Sequence, residues 1–148
     1  MIFLLLWAVA PTVAAVPVAA LRRMAQAGDG AAAYRLGRDY EYGYGVDPSG
    51  AAAAYWYRRA AAQGVARAYV DLGILYRDGM GVPHDPLRAA FWFKKAAAAG
   101  DSLGDTLMGF LYLSPIGLGP DVARAVRWFR RGAAGGCATA GSAHCAIA

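Results

Sequence analysis

Residues 65–100 read VARAYVDLGILYRDGMGVPHDPLRAAFWFKKAAAAG. Ala68, Leu72 and Tyr76 recur every four residues, which is the spacing of one helical face. Gly79 and Gly81 follow and stop that helix, because glycine takes the positive φ that a helix terminus wants. Val82 is expected to tuck under the turn. Asp85-Pro86 then reads as a helix start, with Asp as N-cap and Pro at the first helical position. A second helix is predicted over residues 86–99, with Ala89, Trp92, Phe93, Ala96 and Ala97 as its buried stripe and Gly100 as its end.

This helix pair is repeated. Trp56, Trp92 and Trp128 stand 36 residues apart, and the same step carries Gly37 to Gly73 to Gly109. It also carries Tyr40 to Tyr76 to Tyr112, and Gly64 to Gly100 to Gly136. A period of roughly 20–50 residues marks a solenoid, in which stacked units bury a shared core that none can bury alone. Gly73 sits inside the first helix, where it costs about 1 kcal/mol relative to Ala. Its recurrence predicts an offsetting gain. Close approach of a neighbouring backbone is the simplest one, with Trp92 and Tyr76 filling the space that Gly73 and Ala96 leave.

Set out unit by unit, the chain resembles the Sel-1-like repeat family, whose units are tetratricopeptide-like helix pairs. The middle unit carries Ala68, Leu72-Gly73, Tyr76, Gly79, Gly81-Val82, Asp85, Arg88-Ala89, Trp92-Phe93, Lys95-Ala96-Ala97 and Gly100. The first carries Ala32, Leu36-Gly37, Tyr40, Gly43, Gly45-Val46, Ala53, Trp56-Tyr57, Arg59-Ala60-Ala61 and Gly64, with Ser49 in place of the Asp and Ala52 in place of the basic residue. The third keeps Met108-Gly109, Tyr112, Gly117, Asp121, Arg124-Ala125, Trp128-Phe129 and Ala133, but Pro115 replaces the first loop glycine. The resemblance implies an all-α fold, a right-handed α-solenoid of stacked antiparallel helix pairs. Full repeats fall at about 30–64, 65–100 and 101–136 of a solenoid over residues 21–148. Half repeats are expected at both ends. Arg23, Ala25 and Gly28 match Arg59, Ala61 and Gly64, and Ala140 matches Ala68, so residues 137–147 read as an unpaired first helix.

Outside the repeats, residues 1–21 hold no charge and one polar side chain, Thr12. The run from Ile2 to Ala10 reads as the apolar core of a signal peptide, ended by Pro11, with small-residue cleavage sites at Val13-Ala14-Ala15 and Val18-Ala19-Ala20. No basic residue precedes it. The stretch is also long enough to span a bilayer, so an uncleaved anchor and a buried helix are the alternatives. Residues 1–20 are therefore read as signal peptide or anchor, with the repeats periplasmic or secreted. Cys137 and Cys145 are eight apart, roughly 12 Å along a helix axis. A disulfide needs Cα atoms within about 7 Å, so two thiols are expected unless the tail bends.

Two surfaces stand out. The formal charge is +5, and four basic pairs lie at steps of 36: Arg22-Arg23, Arg58-Arg59, Lys94-Lys95 and Arg130-Arg131. Cations near a helix C-terminus complement its dipole. The same ladder suits an acidic protein surface or anionic lipid headgroups. No nucleic-acid partner is expected. The second surface is the outer face of the first helix in each unit. It carries Tyr34, Arg38 and Glu41, then Val70, Ile74 and Arg77, then Thr106, Phe110 and Leu113. The frame repeats while these residues differ, and a solenoid binds through its concave face. They are the expected contacts for a peptide or partner helix.

No catalytic constellation is present, and no cofactor is expected. His84 reads as a solvated turn residue, and His144, Cys145 and Cys137 are too few and badly spaced for a metal. The expected function is a non-enzymatic adaptor for a protein partner. Cysteine-rich members of the resembled family are associated with binding β-lactams, which makes such an activity the enzymatic alternative. They carry regular cysteine pairs that this chain lacks, and Cys137 and Cys145 fall out of phase with them. A third reading is a fragment of a longer repeat protein. The uncharged stretch 137–148 would then meet further repeats or dock end to end on another copy.

Overall fold

A computed structural model describes residues 16–140, with side chains through Gly136. Seven α-helices follow one another, with no strand among the described residues: α1 (Val18–Gln26), α2 (Gly30–Tyr42), α3 (Gly50–Ala62), α4 (Ala66–Asp78), α5 (Pro86–Ala98), α6 (Ser102–Leu113) and α7 (Val122–Ala140). Each packs chiefly on the helices before and after it, giving the pairs α2/α3, α4/α5 and α6/α7, with α1 against α2. The apolar run at residues 2–10 and its cleavage sites at 13–15 lie outside the described residues, as do His144 and Cys145. The side chain of Cys137 does too.

Local chemistry sets the helix ends. Asp85 Oδ1 accepts from Arg88 N at 2.9 Å, and Asp121 does the same for Arg124 N. In the first unit Ser49 Oγ accepts from Ala52 N at 3.2 Å, so serine does the aspartate's work. Gly43 and Gly79 close α2 and α4 at φ 75° and 70°. With Pro115 following, Ser114 ends α6 in extended geometry instead, because the residue before proline is pushed out of the α region. All three loops still close through one bond of the same kind: Ser49 N to Tyr40 O, Asp85 N to Tyr76 O and Asp121 N to Tyr112 O, at 2.7–2.8 Å.

The core is built from equivalent residues. Leu36, Leu72 and Met108 are fully buried, as are Ala53, Ala89 and Ala125 one helix further on. Two expectations need correcting here. The space beside Gly73 is filled not by a backbone or by Trp92 but by Phe93: a Cβ on Gly73 would fall on its ring. Tyr57 stands in the same way over Gly37, and Phe129 over Gly109. Trp92 is only half-buried, stacked on Tyr69 at 6.0 Å. Backbone approach occurs instead between loop and helix of successive units, where Gly81 meets Gly50 and Ala51.

The second correction concerns the C-terminal end. Gly28, Gly64 and Gly100 take φ 100°, 78° and 85° and turn the chain after α1, α3 and α5. Gly136 does not: α7 runs on unbroken to Ala140, and no separate helix starts at residue 137. The earlier units follow their glycine with a residue that starts the next helix, Asp29, Val65 or Asp101. Here Ala138 and Ala140, the best helix formers, let α7 continue, and Cys137 brings no capping oxygen to start a new helix.

Candidate interaction groove

Helices α2 and α4 present their outer faces side by side and enclose a cleft of about 450 Å³. Tyr34, Arg38 and Tyr42 line it from α2, Arg67, Val70, Asp71 and Ile74 from α4, and Leu103 from α6. Four of the expected contact residues, Tyr34, Arg38, Val70 and Ile74, are thus brought together. Val70 is 1% exposed and forms the floor rather than a free surface. The reading missed Tyr42, Arg67, Asp71 and Leu103. Arg67, Val70, Asp71 and Ile74 follow the i, i+3, i+4, i+7 spacing of one helix stripe, so that stripe is visible in the sequence itself.

The other expected residues are engaged or lie apart. The Tyr57 hydroxyl donates to Glu41 Oε2 at 2.5 Å, which ties α3 to α2. Arg77 is held in a two-point ion pair by Asp78, Nε to Oδ1 at 2.6 Å and Nη2 to Oδ2 at 2.7 Å. Thr106 Oγ1 donates to Ser102 O at 3.1 Å. Phe110 is 54% exposed and sets its ring edge-on to Phe129 at 5.1 Å. Leu113 is exposed one turn further along α6.

The cleft is electrostatically structured. Burial, joined by the Asp71 charge and hydrogen bond, pushes the Tyr34 hydroxyl up to about 12. Burial also raises Tyr57, with the Glu41 bond adding to it. Asp71 is held above the ordinary carboxylate range by burial, with Glu41 reinforcing this and Tyr34, Arg67 and Arg38 opposing it. The site therefore offers phenol donors and one part-buried acidic side chain framed by two guanidinium groups, with Ile74 and Leu103 as apolar wall.

The basic pairs divide into two roles, beyond the three that place a cation in a last helical turn. The first member reaches the next unit: Arg22 Nη2 donates to the Tyr40 hydroxyl at 2.7 Å, and Arg58 Nη2 to the Tyr76 hydroxyl at 3.0 Å. Burial raises Tyr76, but the bonds and charges of Arg58 and Arg88 outweigh it and leave the phenol below its ordinary value. The second member lies over its own unit's indole: Arg59 over Trp56, Lys95 over Trp92 and Arg131 over Trp128, at 5.8, 5.7 and 5.4 Å. His84 is exposed yet not free. Its Nδ1 lies 2.5 Å from Arg77 O and its Nε2 3.2 Å from Ile116 O, so it bridges two successive loops. Among the described residues no group of three or more His, Cys, Asp or Glu could hold a metal. None of their helices is long and apolar enough to cross a membrane.

Stacked helix pairs, a repeating frame and a variable groove define a helical-repeat scaffold. The Sel1 repeat model matches residues 30–65, 66–101 and 104–137, and the chain belongs to the Sel1 repeat family. A Sel1 repeat protein from Oxalobacter formigenes is similar in structure, with TM-score 0.72 and 33% identity over 83% of this chain and 49% of that one. So is c5321, a protective antigen present in uropathogenic Escherichia coli strains, with TM-score 0.73 and 36% identity over 80% of this chain and 25% of that one. This chain thus spans about half and a quarter of the two structures' lengths. Comparison with curated proteins finds no match. Sel1 repeats are generally non-catalytic helical scaffolds that mediate protein–protein interactions.

Proposed function

We propose that this chain acts by binding rather than catalysis, holding a protein or peptide partner along the outer faces of α2, α4 and α6. The observation that carries this is the cleft between α2 and α4, where non-repeating residues converge on a frame that does repeat. Tyr34, Ile74 and Leu103 supply apolar contact, and Arg38, Arg67 and Asp71 supply direction. Exposed Phe110 and Leu113 continue the surface onto α6. An affinity pull-down with the intact chain tests it. Alanine at Tyr34, Ile74 and Phe110 together is expected to release partners that the parent chain retains, while helicity stays unchanged. Retention of every partner would sink the groove assignment.

The apolar run at residues 2–10 supports export, with the repeats acting in the periplasm or outside the cell. Mass spectrometry of the native protein from cell fractions tests this, since it reads mature N-terminus and compartment together. An intact Met1 in the soluble cytoplasmic fraction would overturn it.

A further inference from the structure

The three unit junctions are not equivalent, and the third is open. At the first two, Arg22 and Arg58 reach across to Tyr40 and Tyr76 and strap one unit to the next. The third has Lys94 in that place, facing Tyr112. The ammonium makes no hydrogen bond or ion pair among the described residues, and the Tyr112 hydroxyl receives no such bond. Where the strap is missing there is a cleft of about 420 Å³, lined by Leu87, Ala90, Phe91, Lys94, Tyr112, Leu118 and Arg124.

Its walls also differ from the equivalent positions. Leu87 replaces Ala51 and Phe91 replaces Tyr55, and they are 73% and 51% exposed. Arg124 lies over the Tyr112 ring at 5.7 Å and is paired with Asp121 at 3.1 Å, as Arg88 is with Tyr76 and Asp85. Among the described residues Lys94 is therefore the unpaired charge of the cleft, and no carboxylate lines it. Two large apolar side chains standing open to water beside a lone ammonium and a free phenol make a two-point site. The apolar walls are too exposed to enclose an acyl chain, so a side chain presented from a protein surface fits them better.

We infer that this junction cleft between α5 and the loop before α7 is a second docking site, separate from the α2/α4 groove. It takes a partner segment in which an aliphatic side chain stands next to an Asp or Glu. The carboxylate meets Lys94 and the Tyr112 hydroxyl, and the aliphatic group lies between Leu87, Phe91 and Leu118.

The test is a ¹⁵N-NMR titration of the full chain with N-acetyl-Leu-Glu-Leu-amide up to about 10 mM, above the millimolar constants expected of a two-point contact. Shifts are expected at amides of residues 87–94 and 112–124, with the Gln analogue binding roughly fivefold or more weakly. Lys94→Arg keeps the charge but restores the strap to Tyr112, and should weaken binding by a similar factor. Leu87→Ala should weaken it too, whereas Ile74→Ala in the other groove should leave it unchanged. No shift at those amides, equal binding of the Gln analogue, or full affinity in Lys94→Arg would each overturn the inference. So would saturation by decanoate in the absence of peptide binding, which would assign the cleft to a fatty acid. Loss of binding in Ile74→Ala alone would return the contact to the α2/α4 groove.

Discussion

A Cβ on Gly73 would lie 2.3 Å from the Phe93 ring. Alanine is the better helix former by about 1 kcal/mol, but overpacking a filled core costs roughly 1–3 kcal/mol. Gly73→Ala should therefore lower the urea midpoint despite the propensity gain, and a raised midpoint would refute the packing argument. Asp105 is the opposite case. It is 4% exposed, and Arg131 Nε stands 3.1 Å from its Oδ1 without the alignment of a hydrogen bond, so that oxygen has no hydrogen-bond partner among the described residues. The first unit has buried Ala33 at this position. Asp105→Ala should stabilise by about 1 kcal/mol at pH 7, since it removes a buried, poorly satisfied carboxylate and only a solvent-facing arginine contact. Burial holds the Asp105 carboxyl above its ordinary value, against the Arg131 charge. The folded state thus binds a proton more readily than the unfolded one, and the penalty is present above the folded pKa and gone below the unfolded one. The gain from alanine should shrink as the pH falls toward about 4. Equal gains at pH 7 and pH 4 in denaturant titrations would remove this explanation.

At the scale of elements, caps and loop glycines decide where helices begin and how units meet. Asp85→Ala removes the α5 cap and should cost about 1 kcal/mol. Gly64→Ala meets open space but sits at φ 78°, and should cost about 1 kcal/mol from backbone strain. Gly81 combines φ 71° with a Cβ position 2.1 Å from the Gly50 carbonyl carbon, on the neighbouring unit's helix. Gly81→Ala should cost roughly 2–4 kcal/mol, because strain and a backbone clash add. Thermal melts of the three variants check the order, and Gly81→Ala melting at or above Gly64→Ala would contradict the docking role given to that glycine. Helix starts were legible because capping is a short-range bond between residues three apart. The cost at Gly81 was not, since its clash partner lies 31 residues earlier.

For the whole molecule, stability comes from each unit burying its neighbour. Removing residues 66–101, one period of 36, should leave a folded chain with unchanged helicity per residue and a lower unfolding midpoint. Removing residues 66–83, half a period, should leave a molten or unfolded chain, because the surviving helices no longer present matching faces. Equal midpoints by circular dichroism would argue against nearest-neighbour stacking. The 36-residue step alone determined the helix pairs, their order and the buried Leu72 and Ala89 positions, because a helical face is a local periodicity and stacking copies it; the residues that recur with it carry the family resemblance. Tertiary structure alone decided the rest. Phe93 rather than Trp92 fills the space at Gly73, Leu103 from α6 joins the α2/α4 cleft, and Lys94 leaves its junction unstrapped. Each is a meeting of side chains from different helices, and sequence spacing places residues on a face without saying which of them reach across it.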